Sequence, residues 1–274
     1  MSVGNKPYYL NPEHPNFERW QRSRKHSFER GKFVYELIKS EKNIENAKIL
    51  DIGSGFGGTL ANFEKHNSLL FSFEYDFFKL KHHLSKKAFR VRGDIKLLPF
   101  ANEKFDVIIL QDVIEHIEEP ENFINQIKNL LKKDGIIFLS TPNKYSLVNI
   151  ISDPHWGFPL IALFSRKFIK KFFIPLFRPL EKYRFGIAQL LSLNQLMKIF
   201  KENDFEFKLH TTDSVRTLFT YPDQIIWSNF HLLILKAIQK LKLNNLILSL
   251  SNDKPDLLNK FITPTFYFTL INKN

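Results

Sequence analysis

The stretch KILDIGSGFGGT, Lys48 to Thr59, does most to limit the folds open to this chain. A short aliphatic run ends in a cluster of glycines, the pattern of a buried strand passing through a tight turn into a helix. Without Cβ atoms, the turn lets backbone N–H groups approach a ligand, and the helix N-terminus behind it favours negative charge. A second apolar run, LLFSFE, ends at Glu74, where a carboxylate of a doubly wound fold meets a ribose hydroxyl pair. Two spacings coexist in the turn. Gly53, Gly55 and Gly58 give the dinucleotide pattern G-x-G-x-x-G, and Gly53, Gly55 and Gly57 give the tighter G-x-G-x-G. The loop alone leaves the adenine-bearing cofactor open, with a ligand-free turn as its plain alternative.

The rest of the chain repeats the strand-then-helix rhythm. Apolar runs at 89–94, 105–111 and 135–143 predict three more strands, and 205–211 and the C-terminal PTFYFTLIN two further ones. Helices are expected over 17–40, over 59–67, and from Pro120 through Leu131, where Phe123, Ile124, Ile127, Leu130 and Leu131 mark one apolar face before Asp134-Gly135. Another is expected over 194–202. Strands alternating with helices imply an α/β chain with a Rossmann-like, doubly wound, mostly parallel seven-stranded sheet. The first 46 residues read as an N-terminal helical cap. Residues 47–274 read as the main domain, with apolar-basic helical insertions at about 144–190 and 213–260, near the C-terminal strands.

The segment between the third and fifth strands narrows the cofactor. Gly93-Asp94 with Leu98-Pro99-Phe100, then Phe105-Asp106, Glu115-His116, Pro120, Leu131-Lys132 with Asp134-Gly135, and Pro142-Asn143 occur in fixed order and spacing. In these motifs, over about residues 30–143, the chain resembles the class I S-adenosylmethionine-dependent methyltransferases, especially the quinone-biosynthesis-like subgroup. The resemblance implies the G-x-G-x-G reading and S-adenosylmethionine as cofactor. It implies that Asp51, Gly53, Ser54, Gly55 and Gly57 surround the methionine and ribose portion and that Glu74 accepts from the ribose hydroxyls. By the same likeness Asp94 accepts from the adenine amino group, Ile95 and Tyr75 pack on the ring, and Gln111 with Asp112 lines the methionine end. Two departures stand out: Phe56-Gly57 fills a turn that in the subgroup often holds cysteine or small residues, and Asp204-Phe205 replaces a common Gly-Phe, leaving that turn without its usual positive-φ residue.

Methyl transfer from a sulfonium is an in-line displacement, so a base is needed only where the acceptor must lose a proton. His116 and His155 are the candidate catalytic residues. In QDVIEH, Asp112, Glu115 and His116 stand at i, i+3 and i+4 and would share one helical face. Relatives in the subgroup hold a divalent cation with Glu, Glu and His at these positions. The favoured reading assigns no metal here and makes His116 a buried residue anchoring the turn. His155 lies in DPHWGFP, after the fifth strand, where open sheets form ligand crevices; shaping that loop is its alternative role. Arg19, Arg22, Arg24 and Arg30 read as a solvated basic helix face, with Arg30 alternatively pairing the cofactor carboxylate.

Composition bounds the acceptor and the compartment. No cysteine is present, which excludes disulfides, thiol nucleophiles and iron–sulfur sites. The N-terminal thirty residues lack an apolar signal region, and the longest apolar run, Ile225 to Leu235, falls well short of the roughly 20 residues of a spanning helix. Net charge is +12, and residues 144–190 carry eight basic residues against two acidic ones, half of that surplus. LIALFSRKFIKKFFIPLFRPL and IIWSNFHLLILKAIQKLKLNNLILSL interleave lysines with Leu, Ile and Phe. The expected partner is therefore a small-molecule or lipid-like acceptor, with peripheral contact to an anionic membrane, in the cytoplasm or at the inner face of the membrane; two insertions packed as an ordinary cap are the alternative. RNA as acceptor is disfavoured, because the Asn/Asp-Pro-Pro-Tyr/Phe tetrapeptide is absent after the fourth strand. A non-catalytic cofactor-binding protein, or a dehydrogenase, is the remaining reading.

Overall fold

The computed structural model describes residues 7–182, 186–226 and 228–272. Residues 1–6 of the expected cap, and Arg184 of the basic tally, lie outside them. Among the described residues the strands are β1 (Lys48–Ile52), β2 (Leu69–Glu74), β3 (Phe89–Arg92), β4 (Phe105–Gln111), β5 (Leu131–Pro142), β6 (Phe205–Leu209) and β7 (Thr265–Asn272). The helices begin with α1 (Phe17–Lys25), α2 (Ser27–Glu41), α3 (Gly58–Ala61), α4 (Phe77–Lys81), α5 (Pro120–Lys128) and α6 (Leu147–Ile151). Next come α7 (Arg166–Phe168) and α8 (Ile174–Phe177), joined by a π-helical turn over Ile169–Phe173, then α9 (Leu193–Glu202) and α10 (Thr211–Thr220). The last are α11 (Asn229–Lys240), α12 (Asn244–Leu250) and α13 (Leu257–Phe261).

The seven strands form one sheet in the order β3-β2-β1-β4-β5-β7-β6, parallel except for β7, which runs antiparallel to both neighbours. Alternation along the central strands sorts the core into two layers. Leu50, Ile52, Ile108 and Leu110 face Phe123, Ile124 and Ile127 of α5 and Leu196, Ile199 and Phe200 of α9. Ile49, Val107, Ile109 and Phe138 face Phe33, Val34, Leu37 and Ile38 of α2. Each such side chain contributes roughly 1.5–3 kcal/mol by leaving water, so the central strands are the most firmly held part of the molecule. A third cluster, Trp156, Ile161, Ile169, Phe173, Ile174 and Ile187, gives the first insertion its own small core.

The sheet order reverses between β1 and β4, and this switch point opens the crevice at the strand carboxyl ends. Some boundaries differ from expectation. The helix expected over 59–67 is only the single turn of α3. The amphipathic helix stops at Lys128, and β5 begins at Leu131, four residues before the expected start, with Asp134 at φ 59° and a register shift opposite Phe105. Thr211 opens α10 rather than ending β6. The turn before β6 keeps its left-handed residue after all: Asp204 takes φ 53°, a conformation Asp tolerates better than most side chains. Among the described residues, no helix is long and apolar enough to cross a membrane.

Candidate active site

Gly53, Gly55 and Gly57 all have positive φ, at 72°, 57° and 73°. At Gly53 a Cβ would lie 2.7 Å from a methyl of Val113, so the loop after β1 can pass the loop after β4 only as glycine. The Gly53 amide donates to the Phe73 carbonyl at 2.8 Å, and the Gly55 amide to Glu74 Oε2 at 2.9 Å. The other Glu74 oxygen accepts from the Asp76 amide at 2.9 Å. Glu74 thus braces the loop, with lone pairs left on each oxygen for further donors. Burial, and secondly the Glu74 charge, push the Asp51 carboxyl well above its usual range.

Above this loop lies a cavity of about 300 Å³. Of the residues expected at the site, Asp51, Gly53, Ser54, Gly55, Gln111, His116 and His155 line it, joined by Asp112 and Glu115. Gly57 sits instead at the start of α3 against the His83 ring, and Glu74 lies beneath the loop. Tyr75 is 48 % exposed. Asp94 and Ile95 line a neighbouring cavity of about 540 Å³, whose walls include His116, Arg166 and Ile187. The Asp94 carboxylate accepts from the Lys96 amide at 3.0 Å, closing a local turn. The residues expected around one ligand are therefore divided between two adjoining cavities, with His116 common to both.

The remaining wall of the first cavity comes from the N-terminal helices, through Trp20, Arg24, Ser27 and Arg30 among others. Their arginines are not a solvated face. Arg19 donates to the carbonyls of Asp153 and Pro154 at 2.8 and 2.6 Å, Arg22 pairs with Asp223 at 2.5 Å, and the Arg24 guanidinium lies 4.8 Å from the Phe56 ring centre. Arg30 pairs with Asp112 Oδ2 at 2.5 Å. Asn16 Nδ2 donates to the His155 carbonyl at 2.9 Å, and His14 meets Glu181 at 3.0 Å, both fully buried. The segment is fastened to both insertions.

The expected helical triplet does not form. Asp112 stands at φ 56° ahead of a 3-10 turn over Ile114–His116, and its carboxylate is held by Arg30 and by Ser140 Oγ at 3.0 Å. A different set converges instead. Glu115 is fully buried; Oε2 accepts from Thr141 Oγ1 at 2.9 Å and Oε1 lies 3.7 Å from His155 Nε2. The rings of His116 and His155 meet edge to face with centres 5.2 Å apart. His116 Nδ1 lies 2.6 Å from the Gly186 carbonyl oxygen, which can only accept, so Nδ1 carries hydrogen and Nε2 of the neutral ring keeps its lone pair. Loss of water pushes the Glu115 carboxyl up to about 7; the nearby His116 draws it down less than burial raises it, and Asp112 adds to the rise. Asp153, raised by burial, orders the His155 loop by accepting from the amides of His155 and Trp156 at 2.8 and 2.9 Å.

One ligand atom from each of Glu115, His116 and His155 lies within 4.8 Å of the others. A buried carboxylate oxygen without a hydrogen-bond partner among the described residues, beside two imidazoles, is a donor set that fits a divalent cation. The sequence grouped Glu115 with His116 but did not bring His155 to them, and it missed Trp20 and Thr59, whose hydroxyl donates to Gln111 Oε1 at 2.6 Å. For Thr59 the signal was its place in the first turn after the glycines; for Trp20 there was none.

A family model described as "Methyltransferase domain" matches residues 26–209. The ubiquinone biosynthesis O-methyltransferase of Pelagibacter ubique is 32 % identical over 118 residues, 40 % of this chain and 48 % of that protein. Its namesake from Coxiella burnetii is 24 % identical over 115 residues, 40 % and 49 % of the two chains. The chain spans about half the length of these curated relatives. Among solved structures, an S-adenosylmethionine-dependent methyltransferase from Archaeoglobus fulgidus has a TM-score of 0.55 at 16 % identity, covering 97 % of this chain and 100 % of that one. Another from Mesorhizobium loti has a TM-score of 0.55 at 11 % identity, covering 88 % and 98 %. At these identities the structural likeness shows the fold.

Proposed function

The chain belongs to the class I S-adenosylmethionine-dependent methyltransferases, and on that premise we propose that it methylates a hydroxyl of a small or lipid-like acceptor in the cytoplasm, at the inner face of the membrane. The observation that carries this is the meeting of Glu115, His116 and His155 in the wall of the glycine-loop cavity. In the reaction the methyl carbon passes from the sulfonium to the acceptor oxygen, the carbon–sulfur bond breaking as the carbon–oxygen bond forms. The hydroxyl proton goes to His116 Nε2, whose partner nitrogen is fixed by the Gly186 carbonyl. Glu115, fully buried and electrostatically attracted to His116, stabilises the imidazolium that results. Residues 53–55 and Asp51 hold the cofactor's methionine and ribose end, with Glu74 offering its remaining lone pairs to the ribose, and the described part of the N-terminal cap, residues 7–46, keeps water from the transferring methyl group. A divalent cation held by Glu115, His116 and His155 would occupy that same Nε2 and, in place of the base, would lower the pKa of the acceptor hydroxyl.

The test is transfer of label from S-adenosylmethionine to a catechol-bearing probe, with and without a divalent cation. His116→Gln and Glu115→Gln should each lose at least about 100-fold in kcat while binding the cofactor normally by calorimetry. Unchanged turnover in both variants would overturn the assignment.

A further inference from the structure

The two insertions leave an unusual surface. In α11 Leu235 is the only described residue that is buried, and α12 has none. Leu233, Leu241, Leu246 and Leu250 stand open to solvent, Leu233 by 66 %. From Asn229 to Leu250 the sequence holds eleven Leu or Ile residues and three lysines, Lys236, Lys240 and Lys242, with no acidic residue and no Tyr, Trp or Arg. All three lysines are exposed.

The first insertion has the same character from Leu160 to Leu180, again with no acidic residue. Its helix buries Ile169, Phe173 and Ile174 and exposes Phe168, Phe172, Leu176 and Phe177, Leu176 by 73 %, together with Lys167, Lys170 and Lys171. Its two arginines are spent inwardly. Arg166 donates to the carbonyls of Glu115, Ile117 and Ile187, and Arg178 to those of Trp156 and Phe177.

An apolar ridge lies between the two patches, with α13 tied to the chain just beyond α12 by Asn259 Nδ2 donating to the carbonyls of Asn252 and Lys254. The ring of Tyr145 lies 6.4 Å from that of Phe261, Ser146 Oγ donates to the Ile262 carbonyl, and Asn149 Nδ2 to that of Pro264. The Leu160 amide donates to the Ile150 carbonyl. Leu147, Ile151, Leu160, Phe261 and Ile262 are all exposed along this junction.

We infer that this face, α11–α12 with the ridge and the exposed side of the 166–177 helix, docks on a bilayer containing anionic lipid. Charge and composition together choose that occupant. Protein–protein interfaces draw on Tyr, Trp and Arg and are poor in Lys. Here the arginines are turned inward and the outward residues are Leu, Ile, Phe and Lys. That is the make-up of a helix lying in the headgroup region, with aliphatic side chains in the acyl boundary and lysine ammonium groups at the phosphates. Docking delivers a lipid-borne acceptor to the cleft bounded by the same insertion, and in that respect alone it rests on the proposed acceptor class.

The experiment is co-flotation of the full chain with vesicles of phosphatidylcholine, with and without 30–40 % phosphatidylglycerol as a rough anionic fraction. Binding should require the anionic lipid and weaken as salt rises. A lysine near such a surface is worth about fivefold in partitioning, so Lys236→Gln, Lys240→Gln and Lys242→Gln together should lose roughly 100-fold. Leu233→Asn with Leu246→Asn and Leu250→Asn should also release the protein, and both variants should still bind S-adenosylmethionine, which shows that they fold. Equal binding to neutral vesicles would overturn the anionic assignment. No binding, whether the protein is monomeric or dimeric by light scattering, would overturn the inference, the dimer making the face a contact between copies. Vesicle binding without methylation of any lipid-linked hydroxyl would leave the docking face standing and remove the proposed acceptor.

Discussion

His231 gives the molecule an acid-labile point that can be measured. It lies in the first turn of α11, whose start is capped by Ser228 Oγ accepting from the His231 amide, and its Nε2 is buried without a hydrogen-bond partner among the described residues. Loss of water first, and the Arg19 charge second, lower the ring from 6.5 to about 4. Because the folded-state pKa lies below the unfolded one, the unfolded chain binds the extra proton between them. Stability from this group is therefore complete above about pH 6.5 and falls as pH drops toward 4. For these two values the loss is about 2 kcal/mol at pH 5 and approaches about 3 kcal/mol below pH 4. His231→Leu removes the titration at nearly constant volume and should cost less than about 1.5 kcal/mol at pH 7.5. Urea unfolding of both proteins at pH 7.5 and pH 5 measures the difference of differences, in which the oppositely signed shifts of Asp51 and Asp153 cancel. A gap between parent and variant that is the same at both pH values would refute the reasoning.

Three further outcomes follow from the site and its supports. Gly57→Ala places a Cβ about 2.1 Å from the His83 ring at φ 73°, so it should lower stability by roughly 1–3 kcal/mol, read as a fall in Tm. Asp112→Asn weakens the pair with Arg30 that ties α2 to the cavity, and should reduce S-adenosylmethionine affinity about tenfold or more by calorimetry. Trp156→Ala empties the small core of the first insertion, at a cost of about 3–5 kcal/mol if that core unfolds with the whole, and limited proteolysis should then cut first within 156–177.

The sheet was legible because its central strands are largely buried, so β1, β2 and β4 appear in the sequence as mainly apolar runs, β2 and β4 with the bounds the structure gives them and β1 one residue shorter at each end than AKILDIG. The glycine turn was legible for a similar reason, since positive φ leaves a mark in residue type. Pattern failed where a tertiary contact replaced local regularity: 62–67 turns back after α3, and β5 starts early because Asp134 accepts a left-handed conformation. The arginines at 19, 22, 24 and 30 looked solvated because their partners, at 112, 153, 154 and 223 and at the Phe56 ring, are far along the chain. His155 stood out by its loop, but its approach to Glu115 depends on β5 carrying the chain back across the sheet, which no spacing announces.

The long reach of the first thirty residues also sets an order of events during synthesis. Asn16, Arg19 and Arg22 leave the ribosome early, yet their partners extend to residue 223. A chain halted after β5 can assemble β1 to β5 with their glycine turn, while the wall containing Trp20 has nothing to fasten it. Closing such wide loops is slow compared with local helix formation. The cofactor cleft is thus begun by early residues and finished only when the second insertion arrives, so a chain ended before it would keep the β3-β2-β1-β4-β5 part of the sheet, without β7, and an open cleft.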